Sequence, residues 1–108
     1  VAIFQPHRFT RTQLLFDEFV KSFDNADCLI LTDIYPASEQ PILNINSVNL
    51  CAKIKEYAPD KKVFFVPKEE IVQKVIEIAE PGDLIITLGA GDIVRISDEL
   101  AEKLKDQA

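Results

Sequence analysis

Four short apolar runs, each followed by a stretch of helical periodicity, constrain the possible folds of this chain more than any other feature of its sequence. The runs are "VAIFQ" (1–5), "CLILT" (28–32), "KVFFV" (62–66) and "DLIITL" (83–88). None alternates polar with apolar residues, as a strand with one solvated face does; continuous apolar strands are buried on both faces. Helical spacing fills the intervals. Phe16, Phe19, Val20 and Phe23 share one face of a segment over about 11–24, opened by a Thr10/Gln13 capping-box pattern. Leu50, Ile54 and Tyr57 mark a helix over 47–57, and Ile71, Val72, Val75, Ile76 and Ala79 mark another over 68–79, stopped by Pro81-Gly82. Ile93, Ile96, Leu100 and Leu104 mark a last helix from about residue 92. This alternation predicts a three-layer, Rossmann-like α/β domain, with a mostly parallel sheet and helices on both faces. Right-handed crossovers place the C-terminal ends of the strands along one edge, where open α/β sheets bind ligands. That edge would display residues 5–11, 33–39, 67–68 and 89–92. The stretch "DIYPASEQPILNIN" at 33–46 is too broken by proline and turn formers for a regular element, and long for a strand-to-helix connection.

Composition narrows the class. A length of 108 residues fits one domain. A net charge of −6 argues against non-specific binding to nucleic acid or an anionic membrane surface. Cys28 and Cys51 both lie in apolar segments, so buried free thiols in a reducing cytoplasm are expected. No apolar run approaches the roughly 20 residues of a membrane span, and no signal peptide is evident. The chain lacks methionine and starts inside a strand-like run, which points to a piece of a longer protein.

Against this acidic background, "PHRFTRTQ" at 6–13 holds the only histidine and two of the three arginines. His7, Arg8 and Arg11 fall between the first strand and the first turn of the first helix. Helix N-termini favour anions, and guanidiniums offer forked donors to a carboxylate or phosphate. The alternative is that both arginines pair with surface acids and the histidine is a turn residue. "LGAGD" at 88–92 puts a G-x-G at a strand-to-helix turn, but the third glycine of a dinucleotide fingerprint is missing. A tight turn with Asp92 as helix cap is the competing reading, and it leaves Asp92 available to a cation, hydroxyl or ammonium group. Asp33 and Glu39 could orient an amine or a metal-bound ligand, or serve as solvated turn formers. One histidine and two separated cysteines cannot build a structural zinc site. Only three glycines are present, and no G-x-x-x-x-G-K-[ST] loop, so any ATP phosphate cradle must lie on another domain.

Taken together, "FQPHRFTRT" followed by "FDEF", "TDIYPASEQPI" after the second strand and "LGAGDI" after the fourth resemble the C-terminal domain of the Mur ligases, in the alanine-adding form. The resemblance covers nearly the whole chain. It implies a bacterial cytoplasmic enzyme of three domains, with residues 1–108 as the third. ATP phosphorylates the carboxylate of UDP-N-acetylmuramate to an acyl phosphate, and the amine of L-alanine displaces phosphate. ATP and Mg²⁺ would be held mainly by the absent central domain, and the nucleotide part of the substrate by the absent N-terminal one. The resemblance assigns L-alanine binding to His7, Arg8 and Arg11, and the isolated fragment is expected to be inactive. Asp33, Tyr35, Glu39 and Asp92 are placed at the site only by their position on the ligand edge. Phe9, Ser38 and Val94 depart from the family pattern, which has tyrosine at the first position and glycine at the other two. Two other readings stand beside this one: the tripeptide-adding recycling ligase of the same family, and a non-catalytic α/β module that binds a small anion.

Overall fold

The structure, a computed structural model, describes residues 1–89 and 92–106. Four strands, β1 (Ala2–Phe4), β2 (Cys28–Leu31), β3 (Lys62–Phe65) and β4 (Ile86–Leu88), form an all-parallel sheet in the order β3-β2-β1-β4. The helices are α1 (Phe9–Leu14), α2 (Phe16–Lys21), α3 (Ser47–Tyr57), α4 (Ile71–Ile78) and α5 (Ile93–Asp106), with a 3₁₀ turn at Lys68–Glu70 leading into α4. This is the expected three-layer α/β arrangement.

Register explains how continuous apolar strands serve two cores. Ile3 pairs with Ile30 and Ile30 with Phe64, and this row faces α4 and α5 through Ile71, Val75, Ile93, Ile96 and Leu100. The neighbouring rows, Ala2–Leu29–Val63 and Phe4–Leu31–Phe65, face Phe19 of α2, Phe23 just after it, and Leu50 and Ile54 of α3. Successive residues of a strand point to opposite faces, so a strand buried on both must be apolar throughout. Phe4 packs against Phe19 and Phe23, at centroid distances of 5.1 and 5.2 Å.

From β1 the chain moves to β2 and β3 with helices on one face, then returns past β1 to β4 with helices on the other. The direction of winding therefore reverses between β1 and β4, which makes their C-terminal ends the topological switch point. Residues 5–8 follow β1 there, and Gly89 follows β4.

Several details depart from the sequence pattern. The single helix expected over 11–24 is two helices, broken at Leu15 (φ −105°, ψ 13°). The apolar face begins only at Phe16, whereas α1 buries just Thr12, and the break lets each helix turn its own side inward. The Thr10/Gln13 capping box is not formed: Arg8 is the N-cap, without a side-chain cap bond, and Thr10 lies inside α1. Tyr57 is exposed rather than inward, its hydroxyl 3.5 Å from Asp24. Asn46 caps α3 by accepting from the amide of Asn49 at 2.8 Å. Cys28 and Cys51 are buried free thiols, and burial pushes both pKa values up. No helix among the described residues is long and apolar enough to cross a membrane.

Candidate functional site at the switch point

The segment after β1 is bound to the segment after β2. Tyr35 donates its amide to the Pro6 carbonyl (2.8 Å), and Arg8 donates its amide to the Tyr35 carbonyl (2.7 Å). A parallel bridge thus forms between His7 and Tyr35, whose rings stack at 5.6 Å with 12° between planes. Arg8 takes φ 71°, ψ 143°, a conformation non-glycine residues avoid. Its carbonyl accepts from both the amide (3.1 Å) and the hydroxyl (2.7 Å) of fully buried Thr12.

The N-terminus of α1 is already served by an anion from within the chain. Glu39 accepts from the Thr10 amide (3.1 Å) and the Thr10 hydroxyl (2.6 Å). The hydroxyl bond first, then the amide, with a smaller contribution from Arg8, hold the Glu39 carboxyl below its usual value. Glu39 thus occupies one of the free amides at the start of α1, and the side chains beside it are the remaining charged donors for an external anion. His7, Arg8, Thr10, Arg11, Leu14 and Leu15 line an open groove of about 670 Å³. Both arginines are exposed. Among the described residues the ion pairs are Lys53–Glu56 and Lys68–Asp92, so neither guanidinium is paired with a surface acid.

Asp92 belongs to the other side of the switch point. It accepts from the buried Gln5 side-chain amide (2.9 Å) and from Lys68, which together lower its pKa, Lys68 the more. The end of β1, the start of the 3₁₀ turn and the start of α5 are tied by this one carboxylate. Gly89 is packed against the same place: a Cβ there would lie 3.1 Å from the Gln5 carbonyl oxygen and 2.9 Å from Ile93 Cγ2. Its φ lies outside the left-handed region, so the glycine serves close approach rather than a special turn. Ala90 and Gly91, the rest of the G-x-G, lie outside the described residues.

The fold thus gathers His7, Arg8, Arg11, Tyr35 and Glu39 into one cluster and puts Asp92 in a neighbouring one. Asp33 is exposed, and its side chain makes no hydrogen bond or ion pair among the described residues. Sequence reasoning missed Thr10 as partner of Glu39, and Gln5 and Lys68 as partners of Asp92. The available signals were a polar residue ending an apolar strand and a lysine directly after Pro67. No group of three or more His, Cys, Asp or Glu among the described residues is placed to hold a metal ion.

Comparison with known proteins identifies the family. Residues 1–91 match the family described as Mur ligase, glutamate ligase domain. The UDP-N-acetylmuramate–L-alanine ligase of Geotalea daltonii is 46% identical over 106 residues, which cover 98% of this chain and 23% of that protein. The protein of that name from Geotalea uraniireducens is 48% identical over 105 residues, covering 97% and 23%. The one from Pelotomaculum thermopropionicum is 40% identical over 106, covering 98% and 23%. The chain thus spans under a quarter of these relatives. The crystal structure of UDP-N-acetylmuramate-alanine ligase from Thermotoga maritima shares the fold, with a TM-score of 0.67 at 23% identity over 99% of this chain and 20% of that one. With the family match running from β1 through β4 and taking in His7, Arg8, Arg11, Tyr35 and Glu39, the chain belongs to the Mur ligase, glutamate ligase domain family.

Proposed function

We propose that this chain is the C-terminal, amino-acid-binding and closing domain of a ligase that joins L-alanine to UDP-N-acetylmuramate with ATP. The observation that carries the reading is the pair of exposed guanidiniums, Arg8 and Arg11, sharing one groove with His7 at the switch point of the sheet. The names of the relatives support the substrate class. They favour neither the tripeptide-adding reading nor a non-catalytic one.

The chemistry fits the residues present. L-Alanine offers a planar carboxylate, which a guanidinium fork binds through two parallel hydrogen bonds. Holding that carboxylate aims the amine at the acyl phosphate made from UDP-N-acetylmuramate and ATP. The amine nitrogen bonds to the acyl carbon, the C–O bond to phosphate breaks, and the amine gives up a proton. Pre-positioning of this kind contributes several kcal/mol to rate. Phosphate and Mg²⁺ handling belongs to a domain outside these residues, so the fragment alone is inactive. The reaction and its location are those of a bacterial cytoplasm. In the full-length protein, Arg11→Ala raises the KM for L-alanine more than the KM for ATP. An unchanged KM for L-alanine overturns the reading.

A further inference from the structure

Arg11 sits on a helix of six residues, too short to hold its own orientation, and Arg8 is the non-helical N-cap just before it. Arg8 is aimed by its own backbone, and the direction of Arg11 depends on how α1 is rotated about its axis, so the two meet in one groove only when that rotation is fixed. Within α1, burial fixes only Thr12. A second tether comes from 29 residues away, where the Glu39 carboxylate takes both the amide and the hydroxyl of Thr10. Thr10 directly precedes Arg11 in α1, so its anchorage sets the direction of Arg11 relative to Arg8. The tether is itself built under strain. Ala37 and Ser38 have φ of 50° and 73°, and the Glu39 amide closes this turn on the Pro36 carbonyl at 3.0 Å. Positive φ at Arg8, Ala37 and Ser38 persists only where surrounding bonds over-determine the backbone. The bonds from Tyr35, Thr12 and Thr10 do this.

We infer that Glu39 is a positioning residue for the arginine clamp. Its carboxylate, engaged by two donors of Thr10, locks α1 in the rotation that brings Arg11 beside Arg8 to meet the ligand carboxylate. Glu39 does not touch the ligand; it acts through Thr10. The inference rests on the reading that these arginines hold the carboxylate of the incoming amino acid.

The test uses the full-length ligase, with KM measured for L-alanine and for ATP in Glu39→Ala, Glu39→Gln, Thr10→Val, the Thr10→Val/Glu39→Ala double variant and Arg11→Ala. Misorienting a binding group by about an ångström costs of order tenfold to a hundredfold. Glu39→Ala is therefore expected to raise the KM for L-alanine about tenfold or more, with the KM for ATP within about twofold. Glu39→Gln keeps one acceptor oxygen and recovers most of the loss. Thr10 is exposed, so Thr10→Val leaves the fold intact and repeats the effect even if Glu39→Ala fails to fold. The double variant is no worse than the worse single, because the two residues act as one unit. A KM for L-alanine within twofold in both Glu39→Ala and Thr10→Val, alongside a raised value in Arg11→Ala, overturns this inference alone. So does additivity in the double variant, or an equal rise for ATP. If neither Arg11→Ala nor Glu39→Ala moves the KM for L-alanine, the alanine reading falls together with it.

Discussion

Gly89→Ala distinguishes two accounts of the glycine at the switch point, a packing role and a phosphate cradle. The added Cβ would stand 2.9 Å from Ile93 Cγ2, 3.1 Å from the Gln5 carbonyl oxygen and 3.3 Å from Gln5 Cβ. None of these atoms yields readily. Ile93 is 1% exposed and packed in the core with Ile3 and Ile96. The Gln5 backbone is fixed by its own amide, which donates to the Leu88 carbonyl at 2.9 Å. Relief requires the end of β1 and Gly89 to separate by several tenths of an ångström. Overpacking of this kind costs about 1–3 kcal/mol, and loss of glycine's freedom in the unfolded chain returns roughly 0.4–1 kcal/mol. The net expectation is a loss of roughly 1–2 kcal/mol, given those two contributions. The assay is urea unfolding of the 108-residue domain followed by circular dichroism, with the midpoint lowered and the slope unchanged. A cradle would behave differently: phosphate would stabilise the parent domain and not the variant, and the two would match in phosphate-free buffer. That pattern, or a stability within about 0.5 kcal/mol of the parent, the range of inconsequential surface changes, refutes the packing argument.

Two further expectations concern the loops around the clamp. Ser38 has φ 73°, so glycine relieves left-handed strain there while a β-branched side chain adds to it. Ser38→Gly is expected to be neutral to stabilising and Ser38→Val to cost about 1–2 kcal/mol, so equal urea midpoints would contradict the assigned backbone. Asp92 is held below its usual pKa by Lys68 and Gln5, so the unfolded chain binds the more protons wherever the two states differ. Its contribution to stability is complete above the unfolded value of about 3.9 and is lost as pH falls through the lower folded value. Asp92→Asn should therefore flatten the acid limb of stability against pH below about 4, and an acid limb as steep as the parent's would show that the pair contributes nothing.

Most elements were legible because burial on both faces leaves a mark that does not depend on distant contacts; the exception is the edge strand β4, whose run reads as buried but leaves Ile86 and Leu88 exposed. "CLIL" must be a strand with two covered faces whichever way it is turned, but the sequence cannot say that Ile30 meets α4 and α5 while Leu29 and Leu31 meet α3. Every position in the run is equally apolar, and register decides. The break at Leu15 was hidden for a related reason: nothing in "TRTQLLFDEF" interrupts helix propensity, and only the need to bury Thr12 on one axis and Phe16 on another separates α1 from α2. At the site, His7, Arg8 and Arg11 were legible because they are neighbours in the chain. Glu39 and Asp92 could be placed on the correct edge but not given partners, since Thr10 lies 29 residues from Glu39, and Lys68 and Gln5 lie 24 and 87 from Asp92. A hydrogen bond across such a separation leaves no periodicity to read.

Those long-range partners also resolve why an acidic chain can keep two guanidiniums available. With a net charge of −6, most arginines would be expected to find a carboxylate. Here two of the edge carboxylates are committed elsewhere: Glu39 to the neutral donors of Thr10, and Asp92 to Lys68 and Gln5. Asp33 stays exposed and unpaired among the described residues. Neutral donors matter in the case of Glu39, because they fix a negative charge near Arg8 without using up a cation. The forks of Arg8 and Arg11 then remain open to a carboxylate from outside, with a nearby charge that moderates how tightly it is held. Under the proposed function this balance suits the domain, since an amino-acid carboxylate would have to be gripped for attack and then released with the product.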